Sequence, residues 1–191
     1  MTLREQKILT AIKYFIKTTK HLGRTKLFKL LYFWDFRYFS KHGKSITGFD
    51  YSTYKFGPVP EELYKKIIED KLPKEFTEHF EMISDFTEDV DDGYKAFKMK
   101  LKKKDIDFSC LTRYEKEALD EVVEIFRDCS ASDMVESTHL PNTPWSKTKA
   151  EKGMNQIIDY FLAIDTDTPL DKEEIKERFL LQRALLHNGY N

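Results

Sequence analysis

The run KLFKLLYFWDFRYFSKHG, residues 26 to 43, constrains this chain more than any other stretch. Seven of the twelve residues from Phe28 to Phe39 are aromatic, and one aspartate, Asp35, sits among them. At about 100° per residue, Leu27, Leu30, Leu31, Trp34 and Tyr38 fall on one side of a helical wheel. Phe28, Tyr32, Phe36 and Phe39 continue the arc, so apolar side chains cover roughly two-thirds of the circumference. A helix that apolar is expected at the centre of the fold, packed from several sides. Lys26, Lys29, Arg37 and Ser40 share the remaining sector with one aromatic, Phe33, which reads as an aromatic on a cationic strip. Gly43 closes the helix, and Lys41 and His42 in its last turn suit the dipole.

The rest of the chain supplies elements to wrap that helix. Ile8, Ile12, Phe15 and Ile16 recur at helical spacing over residues 4–20, and Gly23 reads as the residue that stops that helix. Residues 46–57 turn extended and aromatic. Pro58, lacking an N–H, ends a strand or sits at an edge, and Pro60 suits the first position of a helix over about 60–71. Phe97, Met99 and Leu101 alternate with Lys98, Lys100 and Lys102. That pattern predicts a half-buried antiparallel strand, paired through the turn Val90–Gly93 with residues 80–88 and preceded by a short helix. A helix over 74–84 is the alternative reading. Thr112 with Glu115, Ser130 with Asp133, and Asp171 with Glu174 mark three helix starts. HLPNTPW (139–145) breaks the pattern, and a helix is expected over 153–164. The fold class expected is α+β, mainly α-helical, with a small antiparallel sheet, in one domain over residues 1–191.

Composition narrows the function classes. The chain has 191 residues, 40% hydrophobic and 34% charged, so it is expected to bury a core. No apolar run reaches membrane-spanning length, and the N-terminus lacks a signal-peptide layout. With two cysteines, Cys110 and Cys129, and no CxxC, a reduced cytoplasmic setting is expected. The net charge of −1 conceals an asymmetry: residues 1–44 carry eleven Lys and Arg against Glu5 and Asp35, a net of +9. Either the molecule has a basic and an acidic face, or these charges simply solvate helix surfaces.

Catalytic signals are sparse. No HExxH, zinc-spaced Cys/His cluster, P-loop, GxGxxG or GxSxG is present. Asp35 within an apolar arc is either a perturbed general acid or a structural carboxylate bonded to nearby donors. His139 is either catalytic or, with Trp145, a pin holding the 139–145 loop to the core through a hydrogen bond and buried ring area. A hydrolase would need Asp35 and His139 in one pocket. The expectation is no catalytic residue, no metal and no cofactor. Phe33, ringed by Lys29 and Arg37, fits a protein-binding hot spot better than a nucleic-acid surface, given a pI of about 6.5.

Two motifs then resemble a known family. KLFKLLYFWDF (26–36) with Gly43, and TGFDYSTYKFGPVPEELY (47–64), look like the signature of the Panacea domain, found in SocA-like antitoxins and phage-associated GepA-type proteins. LTRYEKEALDEVVEIF (111–126) and SASDMVESTHLPNTPW (130–145) are similar to that family's second block. The likeness covers about residues 5–165, with a C-terminal helix over 171–188 beyond it. It implies a bacterial, cytoplasmic, non-enzymatic antitoxin of a toxin–antitoxin system. Its partner would be a cognate protein toxin, neutralised by direct binding. The alternatives are a proteolytic adaptor, with a protease or chaperone as further partner, or a nucleic-acid-binding regulator using the basic N-terminal half. The matching positions Lys26, Tyr32, Asp35, His139 and Trp145 are expected to hold the domain together. For the toxin-binding face, the candidates are Phe33 with Lys29 and Arg37, and the preorganised turn Gly57, Pro58, Val59 and Pro60 with Tyr54 and Lys55. A turn that merely orients a helix is the competing reading.

Overall fold

The computed structural model describes residues 1–20, 22–85, 96–166 and 168–187. The elements run α1 (Leu3–Thr18), α2 (Arg24–His42), β1 (Tyr51–Tyr54), β2 (Gly57–Pro60), α3 (Glu61–Ile68), α4 (Lys74–Thr77), β3 (Phe80–Asp85), β4 (Ala96–Leu101), α5 (Arg113–Phe126), α6 (Ala131–His139), α7 (Pro144–Lys152), a 3-10 turn (Tyr160–Ala163) and α8 (Lys172–His187). The fold is mainly helical α+β, with two small antiparallel two-stranded sheets among the described residues.

The aromatic helix is central, as its wheel demands. Leu27, Leu30, Leu31, Trp34 and Phe39 of α2 are fully buried. Trp34 Nε1 donates to the Glu115 carbonyl at 3.0 Å, fastening α5 to one side. Phe36 stacks on Tyr160 at 4.3 Å, bringing the 3-10 turn against another. Gly43 ends α2 at φ +67°, and an added Cβ there would lie 3.0 Å from the Ile175 backbone, so α8 crosses close over this point. Three capping boxes form, at Thr2/Glu5, Thr112/Glu115 and Ser130/Asp133. At α8, Asp171 accepts from the Glu173 and Glu174 N–H groups, while the Glu174 side chain turns to Arg178 instead of closing the box.

The β3–β4 hairpin forms with Phe80 opposite Leu101, Met82 opposite Met99 and Glu81 opposite Lys100. Acid and lysine face each other there, as the alternation implies. The proposed turn Val90–Gly93 lies outside the described residues.

Three local expectations are corrected. Gly23 (φ −106°) does not stop α1; Thr19 does, in extended conformation, and Gly23 is the residue before α2. Pro60 is the N-cap of α3, one position earlier than expected, and also the last residue of β2. The helix expected over 153–164 is absent. A helix instead occupies 144–152, with Pro144 at its start and Thr143 as its cap, and Gly153 (φ +89°) ends it. Residues 155–158 then run antiparallel along β1: Asn155 N–H donates to the Thr53 carbonyl at 2.6 Å, and Ile158 N–H to Tyr51 at 2.8 Å. The apolar pair Ile157–Ile158 therefore alternates out and in like a strand, Ile157 exposed and Ile158 buried.

The charge asymmetry has a structural cause. Basic residues of α1 and α2 pair with acids of later elements: Arg4 with Glu62, Lys7 with Glu115, and Arg37 and Lys41 with Glu121. Lys13, Lys26 and Lys29 are buried. Part of the N-terminal +9 is thus matched by carboxylates of later elements, and three of its lysines are buried against backbone carbonyls.

Candidate functional site

Asp35 is wholly buried and wholly occupied. One carboxylate oxygen accepts the Ile46 and Thr47 N–H groups at 2.7 and 2.8 Å; the other accepts the Thr47 hydroxyl and the Tyr51 hydroxyl, the latter at 2.8 Å. Burial raises its pKa, and those four donors oppose the rise. The carboxylate thus folds the 46–51 segment onto α2, a structural task that leaves no lone pair aimed at a cleft. His139 is elsewhere: its charged neighbours are Lys149 and Lys29. Asp35 and His139 do not form a catalytic pair. Among the described residues, no group of three His, Cys, Asp or Glu side chains could hold a metal ion.

Two lysines on the supposed cationic strip are buried. Lys26 Nζ donates to the carbonyls of Lys20, Arg127 and Cys129 at 2.9, 3.0 and 2.6 Å. It thereby caps the C-terminal end of α5, where carbonyls lack helical partners. Lys29 is 1% exposed and donates to the Pro58 carbonyl at 2.8 Å. Burial without a counter-charge lowers its pKa to about 7. Lys29 is therefore a bolt between α2 and β2, and the expectation that it forms part of a toxin-binding surface is corrected.

The same correction applies to the proline turn. Gly57, Pro58, Val59 and Pro60 form β2 and are all buried. Thr53 pairs with Pro58 and Tyr54 with Gly57, so the reversal falls on Lys55 and Phe56. Gly57 takes up φ +94°, and a Cβ there would sit 2.5 Å from Thr138 Oγ1 and 2.7 Å from Lys29 Cε. Glycine is required by both conformation and space. The hairpin tip is what faces outward: Lys55 and Phe56 are exposed, with the Lys55 ammonium 5.2 Å from the Phe56 ring. Behind them Tyr54 packs edge-on against Tyr64 at 5.7 Å, and Arg24 lies 5.8 Å from the Tyr64 ring. Phe56, Tyr64 and Arg24 escaped the sequence reading. Phe56 has a signal in the sequence, an aromatic immediately before the glycine of a Tyr-Lys-Phe-Gly turn; Tyr64 and Arg24 join only through the fold.

Phe33 is half-buried, stacked on Phe126 at 4.5 Å, rather than free among cations. It lines a cleft of about 530 Å³ between α2, the α6–α7 connection and residues 162–169, together with Arg37, Lys41 and Lys147. Tyr32 lies at its base. Trp145 is buried and stacks on His139 at 3.8 Å and 16°. That pair does pin the loop, but by ring contact. The expected hydrogen bond is not made, since His139 Nε2 and Trp145 Nε1 are both buried without a partner.

The sequence over residues 27–146 matches the family described as Antitoxin SocA-like, Panacea domain. The chain belongs to that family. The matched span takes in α2 from Leu27 onward, the β1–β2 hairpin, α5 and α6, with the first three residues of α7. No curated protein and no solved structure matches the chain.

Proposed function

We propose that this SocA-like protein is an antitoxin that neutralises a cognate protein toxin by binding it directly in the cytoplasm, without catalysis, as one domain over residues 1–191. The observation that carries the reading is the family match over α2 and the β1–β2 hairpin. The hairpin tip adds the chemistry of a protein contact. Lys55 and Phe56 project, with Tyr54 packed behind them, from a strand pair held by Lys29 on one side and by residues 155–158 on the other. Aromatic and cationic side chains on a rigid support are the composition of interface hot spots, and a rigid support loses little entropy on binding. Tyr54 and Lys55 remain toxin-binding candidates, joined by Phe56, Tyr64 and Arg24. Phe33 and Arg37 belong to the separate cleft.

The pairing of Arg4, Lys7, Arg37 and Lys41 with carboxylates weighs against a nucleic-acid regulator, which needs cations free for phosphates. Co-expression with the product of the adjacent gene tests the proposal. Rescued growth together with a co-purifying complex supports it. Rescue accompanied by disappearance of the toxin, and restored when proteases are deleted, would replace it with a proteolytic adaptor.

A further inference from the structure

Residues 155–158 give the β1–β2 hairpin a third strand, and that strand has an open edge. Thr53 N–H donates to the Gln156 carbonyl at 2.9 Å and Ile158 N–H to the Tyr51 carbonyl at 2.8 Å, on either side of the bridge between Ser52 and Ile157. In that antiparallel pattern the backbone groups of Ile157 point away from β1. Among the described residues neither its N–H nor its carbonyl has a hydrogen-bond partner, and its side chain is 59% exposed. The far side of the hairpin offers no such edge, because Lys29 and Thr138 close on β2 there. An extended segment with unpaired backbone groups is a template for one more strand.

The edge leads to the proposed toxin-binding tip. Thr53 Oγ1 donates to the Gly153 carbonyl at 2.9 Å, and Asn155 N–H to the Thr53 carbonyl. The chain therefore enters the third strand at the end of the sheet where Lys55 and Phe56 turn. Met154 is 37% exposed, as is Phe56. The charge at this end is basic. α7 carries Lys147, Lys149 and Lys152 against one acid, Glu151, and Lys152 is exposed with no ion pair among the described residues. Asp159, at the other end of the strand, is occupied by the Phe161 N–H at 2.9 Å. The edge is thus apolar at Ile157 and positive toward the tip.

We propose that the edge at Ile157 receives an extended, acidic segment of the toxin, which pairs with the Ile157 backbone as a further strand. Its apolar side chains lie against Ile157 and Met154, and its carboxylates face Lys152 and the turn at Lys55. This inference rests on the antitoxin reading and names the chemistry of the partner. Main-chain bonds supply affinity without demanding a sequence, while the lysines select the charge.

Amide exchange followed by NMR, with the purified product of the adjacent gene as the toxin, tests the pairing. The Ile157 N–H should exchange freely in the free protein and at least about tenfold more slowly in the complex. Ile157→Pro removes that N–H at an edge position, where proline is tolerated. By isothermal titration Ile157→Pro and Lys152→Glu should each weaken the complex about tenfold. Lys100→Glu, exposed on β4, should bind as the wild type does. Thermal unfolding checks that each variant is folded; if Ile157→Pro is not, Lys152→Glu and the amide carry the test. No complex with the wild-type protein removes the antitoxin reading and this inference together. A complex in which the Ile157 amide stays unprotected, or which both folded variants form undiminished, overturns this inference alone. Protection of that amide in the free protein would assign the edge to a second copy of the chain and also overturn it.

Discussion

Replacing Asp35 by alanine is expected to remove most of the protein's stability. The carboxylate accepts four hydrogen bonds, from the Ile46 and Thr47 N–H groups and from the Thr47 and Tyr51 hydroxyls. The hydroxyls can turn to other acceptors, but the two backbone N–H groups cannot. Each buried donor left unmade costs about 1–3 kcal/mol, so the N–H pair alone amounts to roughly 2–6 kcal/mol and the four donors to about 3–8 kcal/mol. A domain of this size has roughly 5–15 kcal/mol in all. Asp35→Asn keeps an oxygen for the N–H pair and asks only the hydroxyls to reverse, a cost of about 1–2 kcal/mol. Urea unfolding followed by circular dichroism should therefore rank wild type, then Asp35→Asn, then Asp35→Ala. The acid dependence adds a sign. Because burial raises the Asp35 pKa in the folded state, its contribution is full below the ordinary carboxylate pKa and is lost as pH rises through the folded value. The wild-type margin over Asp35→Asn should then grow as pH falls. If Asp35→Ala costs less than about 1 kcal/mol, or the two variants are equally destabilised, Asp35 is not the acceptor that organises residues 46–51.

Two further perturbations probe the seam between α2 and β2. Gly57→Ala combines backbone strain at φ +94° with a Cβ 2.5 Å from Thr138 Oγ1 and 2.7 Å from Lys29 Cε, which together cost about 2–5 kcal/mol; adding Thr138→Ala should recover part of the loss of urea midpoint, and no recovery would place the cost in the backbone and the Lys29 contact. Lys29, with its pKa lowered to about 7, binds a proton in the unfolded chain but not in the folded one between that pH and its ordinary value. Its contribution therefore makes stability rise with pH, by at most about 1.4 kcal/mol per unit. Lys29→Met should flatten the rise in urea midpoint between pH 7 and pH 9, and an unchanged slope would contradict the assignment.

What the sequence revealed was whatever is written locally. Thr112 and Ser130 each carry their capping partner three residues on, and both helices begin there; Asp171 likewise opens α8, though Glu174 turns to Arg178. The aromatic arc of α2 reports its central position because few neighbours could leave so wide an arc uncovered. Exposure of the polar sector was not legible, since a wheel reports polarity alone. Lys26 and Lys29 are buried because carbonyls of α5 and β2, far along the chain, accept their protons. Gly57–Pro60 looked like a projecting turn for the same reason: what covers it arrives from α2 and α6. The expected helix over 153–164 failed because the backbone donors of Asn155 and Ile158 found β1, a partner no local pattern reveals.

The central claim is that neutralisation proceeds through a complex made by the hairpin tip. It is tested most directly by isothermal titration of the purified toxin, the product of the adjacent gene, into the wild-type protein and into a Lys55→Glu, Phe56→Ala variant. Both substituted residues are exposed, so the variant should unfold at the wild-type temperature. A saturable complex with the wild-type protein, weakened at least about a hundredfold in the folded variant as expected for hot-spot residues, is the predicted result. Undiminished binding by the variant would contradict the claim.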